Sequence, residues 1–234
     1  MLRSCLVTSV LLLSSCSQAP VPAPAEGLAA RFPAPDRRWT IDVRDGQAKL
    51  VDLVRSFEGA SGERITFSDA VGKQLAAKRV GLTSNTEVEP EQVYTWFESL
   101  IANEGYRVAV TAQTGPRVLV LWTNASFDAS GEKTPLHVGV DEPEQLGELD
   151  RHPALYVQTV LDVTPLEART LQNSLRALGG RLDNLVAVGE SNSVILLGCG
   201  AEVAGMVRLL QSAMEQERAR LAPVVGATDG DEKR

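Results

Sequence analysis

Two hydrophobic periods run along this chain, and each switch between them marks an element boundary. Trp39-Thr-Ile-Asp-Val43 alternates apolar and polar residues, the period of a half-buried strand. Leu50, Leu53, Val54 and Phe57 fall at i, i+3, i+4 and i+7, which is one face of a helix, and Gly59 and Gly62 mark its end. Arg64-Ile-Thr-Phe67 and Val80-Gly-Leu-Thr83 read as strands. Pro90 in a first helical turn, with Glu91 beside it, opens a second helix whose apolar face is Val93, Phe97, Leu100 and Ile101, ended by Gly105. Tyr106–Thr111 and Val118–Trp122 then form a hairpin closed near Gly115-Pro116. Residues 39–122 therefore predict a β-α-β-β-α-β-β unit.

The pattern starts again at 155. Leu155, Val157, Leu161 and Val163 alternate. Thr164-Pro165-Leu166-Glu167 reads as a capping box, with Thr164 as the cap and Pro165 at the first helical position. Leu171, Leu175 and Leu178 line that helix, and Gly179-Gly180 ends it. Leu185–Val188 and Ser193–Leu197 are strands joined through Gly189–Asn192. Val203, Met206, Val207, Leu210 and Met214 face one side of a last helix. Residues 155–216 predict β-α-β-β-α. The fold class is α+β, with two small sheet-plus-helix domains.

Three stretches lack such a pattern. Residues 16–38 are rich in alanine and proline and read as a spacer stiffened toward polyproline II. Residues 123–154 are polar and rich in proline, glycine and acids, and read as an acidic linker. Residues 217–234 read as a disordered tail.

The first fifteen residues follow another logic. Arg3 precedes an apolar run from Cys5 to Leu13, too short to span a bilayer and ending in small residues, which makes an export signal. Leu13-Ser14-Ser15-Cys16 resembles the lipobox of bacterial lipoproteins. That resemblance implies cleavage before Cys16, acyl chains on Cys16 as the lipid attachment site, and a place in the cell envelope. Ser17, where an aspartate often means retention at the inner membrane, implies the outer membrane with the domains facing the periplasm. More than one acyl chain is what stable anchoring requires.

The two units together, in this order, resemble the periplasmic N-terminal domains of secretins, the outer-membrane channel proteins of type II secretion and related pilus systems. Residues 39–122 resemble the short N-terminal domain shared by secretins and some TonB-dependent receptors, through the Trp39–Val43 strand, Val80-Gly-Leu-Thr-Ser84, Pro90-Glu-Gln-Val93 and Gly105-Tyr106. Residues 155–216 resemble the secretin repeat with a KH-like βαββα fold, through Glu190-Ser-Asn-Ser-Val-Ile-Leu-Leu-Gly198 and Ala201-Glu-Val-Ala-Gly-Met-Val-Arg-Leu-Leu210. Secretins continue into further repeats and a β-rich channel domain. Nothing in this sequence has the long alternating strands of a membrane barrel, so the expectation is the periplasmic vestibule without the pore.

Charge and chemistry narrow the function classes. The net charge of −7 and the lack of a basic run argue against nucleic-acid binding, and no basic Gly-x-x-Gly joins two helices. His137 and His152, the two histidines, show no metal-type spacing, so no metal or cofactor is expected. Cys199, between Gly198 and Gly200, has no histidine in its own unit to activate it and reads as a small buried thiol. With Cys5 removed and Cys16 acylated, Cys199 has no disulfide partner. Asp141, Glu142, Glu144, Glu148 and Asp150 lack calcium-loop spacing and read as solvated linker. Trp39, Trp96 and Trp122 read as core or rim. No catalytic constellation is visible, so the expectation is a non-enzyme. The resemblance implies a lipid-anchored scaffold or accessory of a secretin-type channel, acting through contacts with secretion-system components, through a homo-oligomeric ring and through strands added to edges of the first unit. The alternative is a free-standing periplasmic binding or signalling module.

Overall fold

The computed structural model describes residues 27–43, 46–111, 118–123, 135–177, 185–189 and 191–222 of the 234-residue chain. Cys16 and the export signal lie outside them, as do the hairpin turn near Gly115-Pro116, the Gly179-Gly180 pair and the last twelve residues. The molecule is α+β, as the periodicity predicts.

The first unit contains β1 (Trp39–Ile41), β2 (Gln47–Lys49), α2 (Leu50–Ser61), β3 (Ile65–Thr66), α3 (Asp69–Ala77), β4 (Arg79–Gly81), β5 (Thr86–Val88), a 3-10 turn over Pro90–Gln92, α4 (Val93–Asn103), β6 (Tyr106–Val110) and β7 (Leu119–Thr123). A four-residue helix, α1 (Leu28–Arg31), precedes it. The strands form two small ladders, β1 with β5 and β2 with β4, and a three-stranded sheet of order β3-β7-β6. Leu50, Leu53, Val54 and Phe57 are all buried, and Gly62 ends α2 in the left-handed conformation at φ 75°. Trp39, Phe57 and Phe97 make the aromatic centre. The Phe57 and Phe97 rings stack at 3.8 Å, and the Trp39 indole N–H donates to Ser56 Oγ at 2.9 Å.

Helix α3 is an addition to the predicted order. Only Val71 and Leu75 of it are buried, and Gly72 interrupts it, so its apolar stripe is too thin to stand out. Its start is set by Ser68, whose hydroxyl accepts the Val71 N–H.

The second unit contains β9 (Tyr156–Asp162), α6 (Ala168–Ala177), β10 (Leu185–Val188), β11 (Ser193–Cys199) and α7 (Gly200–Leu221). Two further elements, β8 (Leu136–His137) and α5 (Pro143–Arg151), join it. They fall inside 123–154, the stretch that reads from sequence as linker. Strand β8 pairs parallel to β9, giving a four-stranded sheet of order β10-β11-β9-β8. The start signals of α5 lie in the sequence: Pro143 at the first turn, and Glu142 with Gln145 as a reciprocal capping box. Leu146 and Leu149 are its buried face. Acid density hid this pattern. Asp141, Glu142, Glu144, Glu148 and Asp150 read from sequence as solvated linker, whereas Glu142 caps the helix, Glu148 accepts the Leu28 N–H at 2.7 Å, and Asp150 pairs with Arg208 of α7.

Two other boundaries move. Helix α6 begins at Ala168 instead of Pro165, because Thr164 turns back onto Asp162 through its N–H and its hydroxyl, at 2.9 and 2.7 Å. The helix instead receives its cap from a distance: Asn192 Oδ1 accepts the Ala168 N–H at 3.0 Å. Helix α7 runs to Leu221, so residues 217–221 of the expected tail are its last turn.

Candidate interaction surfaces and the joint between the units

In the second sheet β9 and β11 send alternate residues to α7, which also packs on α5, while β10 lies against α6. Val157, Thr159 and Leu161 of β9 and Val194 and Leu196 of β11 face Val203, Val207, Leu210 and Met214 in one core. No helix among the described residues is packed on the Val160 and Val186 side of the sheet, where both side chains are exposed. There Val186, Ile195 and Val160 stand directly opposite one another across β10, β11 and β9. Val186 is 51% exposed and Val160 49%. The outer edge of β10 has no strand beside it among the described residues. An apolar stripe that runs to an open edge is the arrangement through which a sheet accepts another chain.

Edges of the first unit are less available than the sequence led one to expect. The outer edge of β6 meets the chain entering β9: Val108 forms a parallel bridge with Leu155, and its N–H donates to the Ala154 carbonyl at 2.9 Å. The two sheets are therefore linked edge to edge. Above the link, Trp122 and Tyr156 meet edge-on at 5.5 Å, with Ala109 beneath and Leu197 alongside.

Below the link lies a buried polar joint. Glu98 of α4 is buried, although its neighbours Tyr94, Phe97 and Ile101 form the apolar face of that helix. One carboxylate oxygen of Glu98 accepts the N–H groups of Ala154 and Leu155, at 2.9 and 3.0 Å. The other lies 2.8 Å from Nδ1 of buried His152. A carboxylate only accepts, so the imidazole donates from Nδ1. Thr95 Oγ1 caps α5 by donating to the Arg151 carbonyl at 2.8 Å. At the rim, Arg107 of β6 bonds Glu202 of α7 at 3.0 Å. Sequence reasoning set His152 in a linker and passed over Glu98. The available signal was a carboxylate four residues after Tyr94, inside an otherwise apolar helical stripe.

The residues weighed for chemistry have structural settings. His137 is exposed on β8, whereas His152 is buried at the end of α5. No group of three or more His, Cys, Asp or Glu residues is arranged to hold a metal among the described residues. Cys199 is buried, and burial pushes its thiol up to about 12 while nearby Arg107 opposes the shift. Burial, with Cys199 beside it, likewise raises the Tyr156 phenol. Trp39 is core, Trp122 is buried against Tyr156, and Trp96 is exposed on α4. No described helix is long and apolar enough to cross a membrane.

The chain is built as two sheet-and-helix units on one joint. Its fold is that of secretin N-terminal domains. The Klebsiella pneumoniae type II secretion system outer membrane complex, with PulD, PulS and the PulC HR domain, matches 77% of this chain and 31% of its own chain at 15% identity, with a TM-score of 0.50. The N-terminal domain of the secretin XcpQ from Pseudomonas aeruginosa matches 76% of this chain and 65% of its own at 17% identity and a TM-score of 0.28. The enterotoxigenic Escherichia coli GspC–GspD complex of the type II secretion system matches 76% of this chain at 18% identity, 99% of its own, with a TM-score of 0.27. The chain thus spans about a third of the Klebsiella chain it matches. No protein-family model and no curated protein matches it.

Proposed function

We propose that this chain is a non-enzymatic envelope lipoprotein, anchored through Cys16 to the outer membrane and serving as a periplasmic scaffold or accessory of a secretin-type channel. The observation that carries the reading is the two-unit secretin N-domain fold, presented with a β10 edge that no described strand covers and the Val186–Ile195–Val160 stripe beside it. Contact through an edge and an apolar stripe needs no catalytic group. It fits secretion-system partners, or further copies of the chain set side by side in a ring. Residues 1–15 act as the export signal and the part of the alanine- and proline-rich segment ahead of Gly27 as the tether. Fold likeness supplies function by analogy, and the edge and stripe are what this chain adds to it.

Affinity capture from crosslinked envelopes, followed by mass spectrometry, tests this. Recovery of a large β-rich channel protein, lost on Cys16→Ala and reduced by Val186→Lys, is the expected result. Recovery of no channel or secretion component leaves a free-standing periplasmic module.

A further inference from the structure

Residues 27–32, part of the stretch 16–38 that reads from sequence as a spacer, pack against the two units instead. Leu28 and Phe32, four residues apart, are both buried, and α1 lies against α5 of the second unit. The Leu28 N–H donates to Glu148 of α5 at 2.7 Å. The Phe32 ring meets two partners at once: Tyr94 of the first unit, edge-on at 5.6 Å, and His152 beside the second, at 4.8 Å. Tyr94 in turn lies 5.5 Å from His152 and donates its hydroxyl to Glu63 at 2.7 Å. Phe32 therefore covers the joint at the point where the Glu98–His152 contact is made.

The hold is slight. Helix α1 has one turn and no side-chain cap, and the stretch from Pro33 to Arg38 that follows is exposed apart from half-buried Pro35. Of the segment's residues, Leu28 and Phe32 are the ones buried against the rest of the molecule. Elements with few buried contacts are those that open first. The segment precedes β1 along the chain, so a pull from the N-terminal side acts on Gly27 and Leu28 before it reaches β1.

We propose that Gly27–Phe32 is a releasable clasp, which keeps the joint between the two units dry while seated and admits water to it when withdrawn. With Phe32 seated, Glu98, His152 and the Ala154 and Leu155 N–H groups meet in a water-poor setting, where hydrogen bonds to a carboxylate are strong. With Phe32 gone, water competes for both carboxylate oxygens and the hold on the start of β9 weakens. The clasp itself does not depend on the proposed function; only the membrane tether as the source of a pull rests on that reading.

Amide hydrogen exchange of the full chain reads the state of the joint directly, and needs neither membrane nor partner. Phe32→Ala and Leu28→Glu are compared with Ala29→Glu, which alters an exposed position of the same turn. The expected result is exchange at Ala154 and Leu155 accelerated about tenfold or more in the two clasp variants, with Val54 of α2 and Leu196 of β11 unchanged and Ala29→Glu equal to the parent. Phe32→Leu, which keeps apolar bulk, gives an intermediate acceleration. Unchanged exchange at Ala154 and Leu155 overturns the clasp. So does an acceleration shared equally by Val54 and Leu196, which marks general destabilisation instead.

Discussion

Glu98 and His152 lie 54 residues apart in the chain and 2.8 Å apart in space, both buried, and their contact ties α4 of the first unit to the chain entering β9 of the second. Because the same carboxylate accepts the Ala154 and Leu155 N–H groups, its loss leaves two buried backbone donors and an imidazole without partners. A buried donor left unsatisfied costs about 1–3 kcal/mol, so Glu98→Ala is expected to lower stability by about 3–5 kcal/mol. Glu98→Gln keeps the shape and one acceptor oxygen and should cost about half as much. Urea unfolding of both variants measures this, and near-parental stability of Glu98→Ala would remove the joint from the account.

Gly200, the first residue of α7, packs against the end of α5. A Cβ there would stand 2.1 Å from the His152 carbonyl oxygen and 2.9 Å from that of Leu149, both backbone atoms with little room to yield. Gly205 lies one and a half turns further along the same helix, exposed, and a Cβ on it meets nothing within 4 Å. Gly200→Ala should therefore destabilise by about 1–3 kcal/mol or more through overpacking. Gly205→Ala should stabilise by about 0.5–1 kcal/mol, because alanine is the better helix former. Thermal melts of the two variants must move in opposite directions.

Period and punctuation made most of this fold legible. The faces of α2, α4 and α7 follow their i, i+3, i+4 apolar residues, and Gly62 and Gly105 stand where the reading ended a helix. What escaped shares one cause. Helices α3 and α5 each bury only two side chains, and α1 one, so their stripes are thin, and in α5 five acids nearby resemble solvated chain. The joint was illegible for a different reason. Glu98, His152 and Phe32 come from three separate stretches, and nothing local to any of them announces the others. Cys16, the one site residue read from sequence, lies outside the described residues.

Asn192 takes the left-handed conformation, φ 48°, in the turn between β10 and β11. The sequence argument gave it that turn, but its side chain does more. Oδ1 accepts the Ala168 N–H, and Nδ2 donates to Thr164 Oγ1 at 3.1 Å and to the Leu166 carbonyl at 2.8 Å. Asn192→Gly keeps the backbone conformation and loses the three bonds. Asn192→Ala loses both, and a left-handed non-glycine residue costs a further ~1 kcal/mol. Chemical denaturation should rank the parent above Asn192→Gly and Asn192→Ala last. A ranking with glycine equal to the parent would reduce Asn192 to a turn residue.

Cys199 sits at the end of β11, where burial holds its thiol protonated, up to about 12 against an ordinary 9.0. In a chain with Cys5 and Cys16 changed to serine, a thiol reagent at pH 8 should modify the unfolded protein quickly and the folded protein only at the rate of opening. The sign of the pH dependence follows from the same shift. Below pH 9 the thiol is neutral whether folded or unfolded, and its contribution to stability is fully present. Between 9 and about 12 the unfolded chain releases a proton that the folded chain keeps, so stability falls with rising pH across that window. Cys199→Ala should flatten this part of the profile, to which the raised Tyr106 and Tyr156 phenols also contribute. Rapid labelling of the folded chain at pH 8 would show an accessible thiolate and contradict the buried setting.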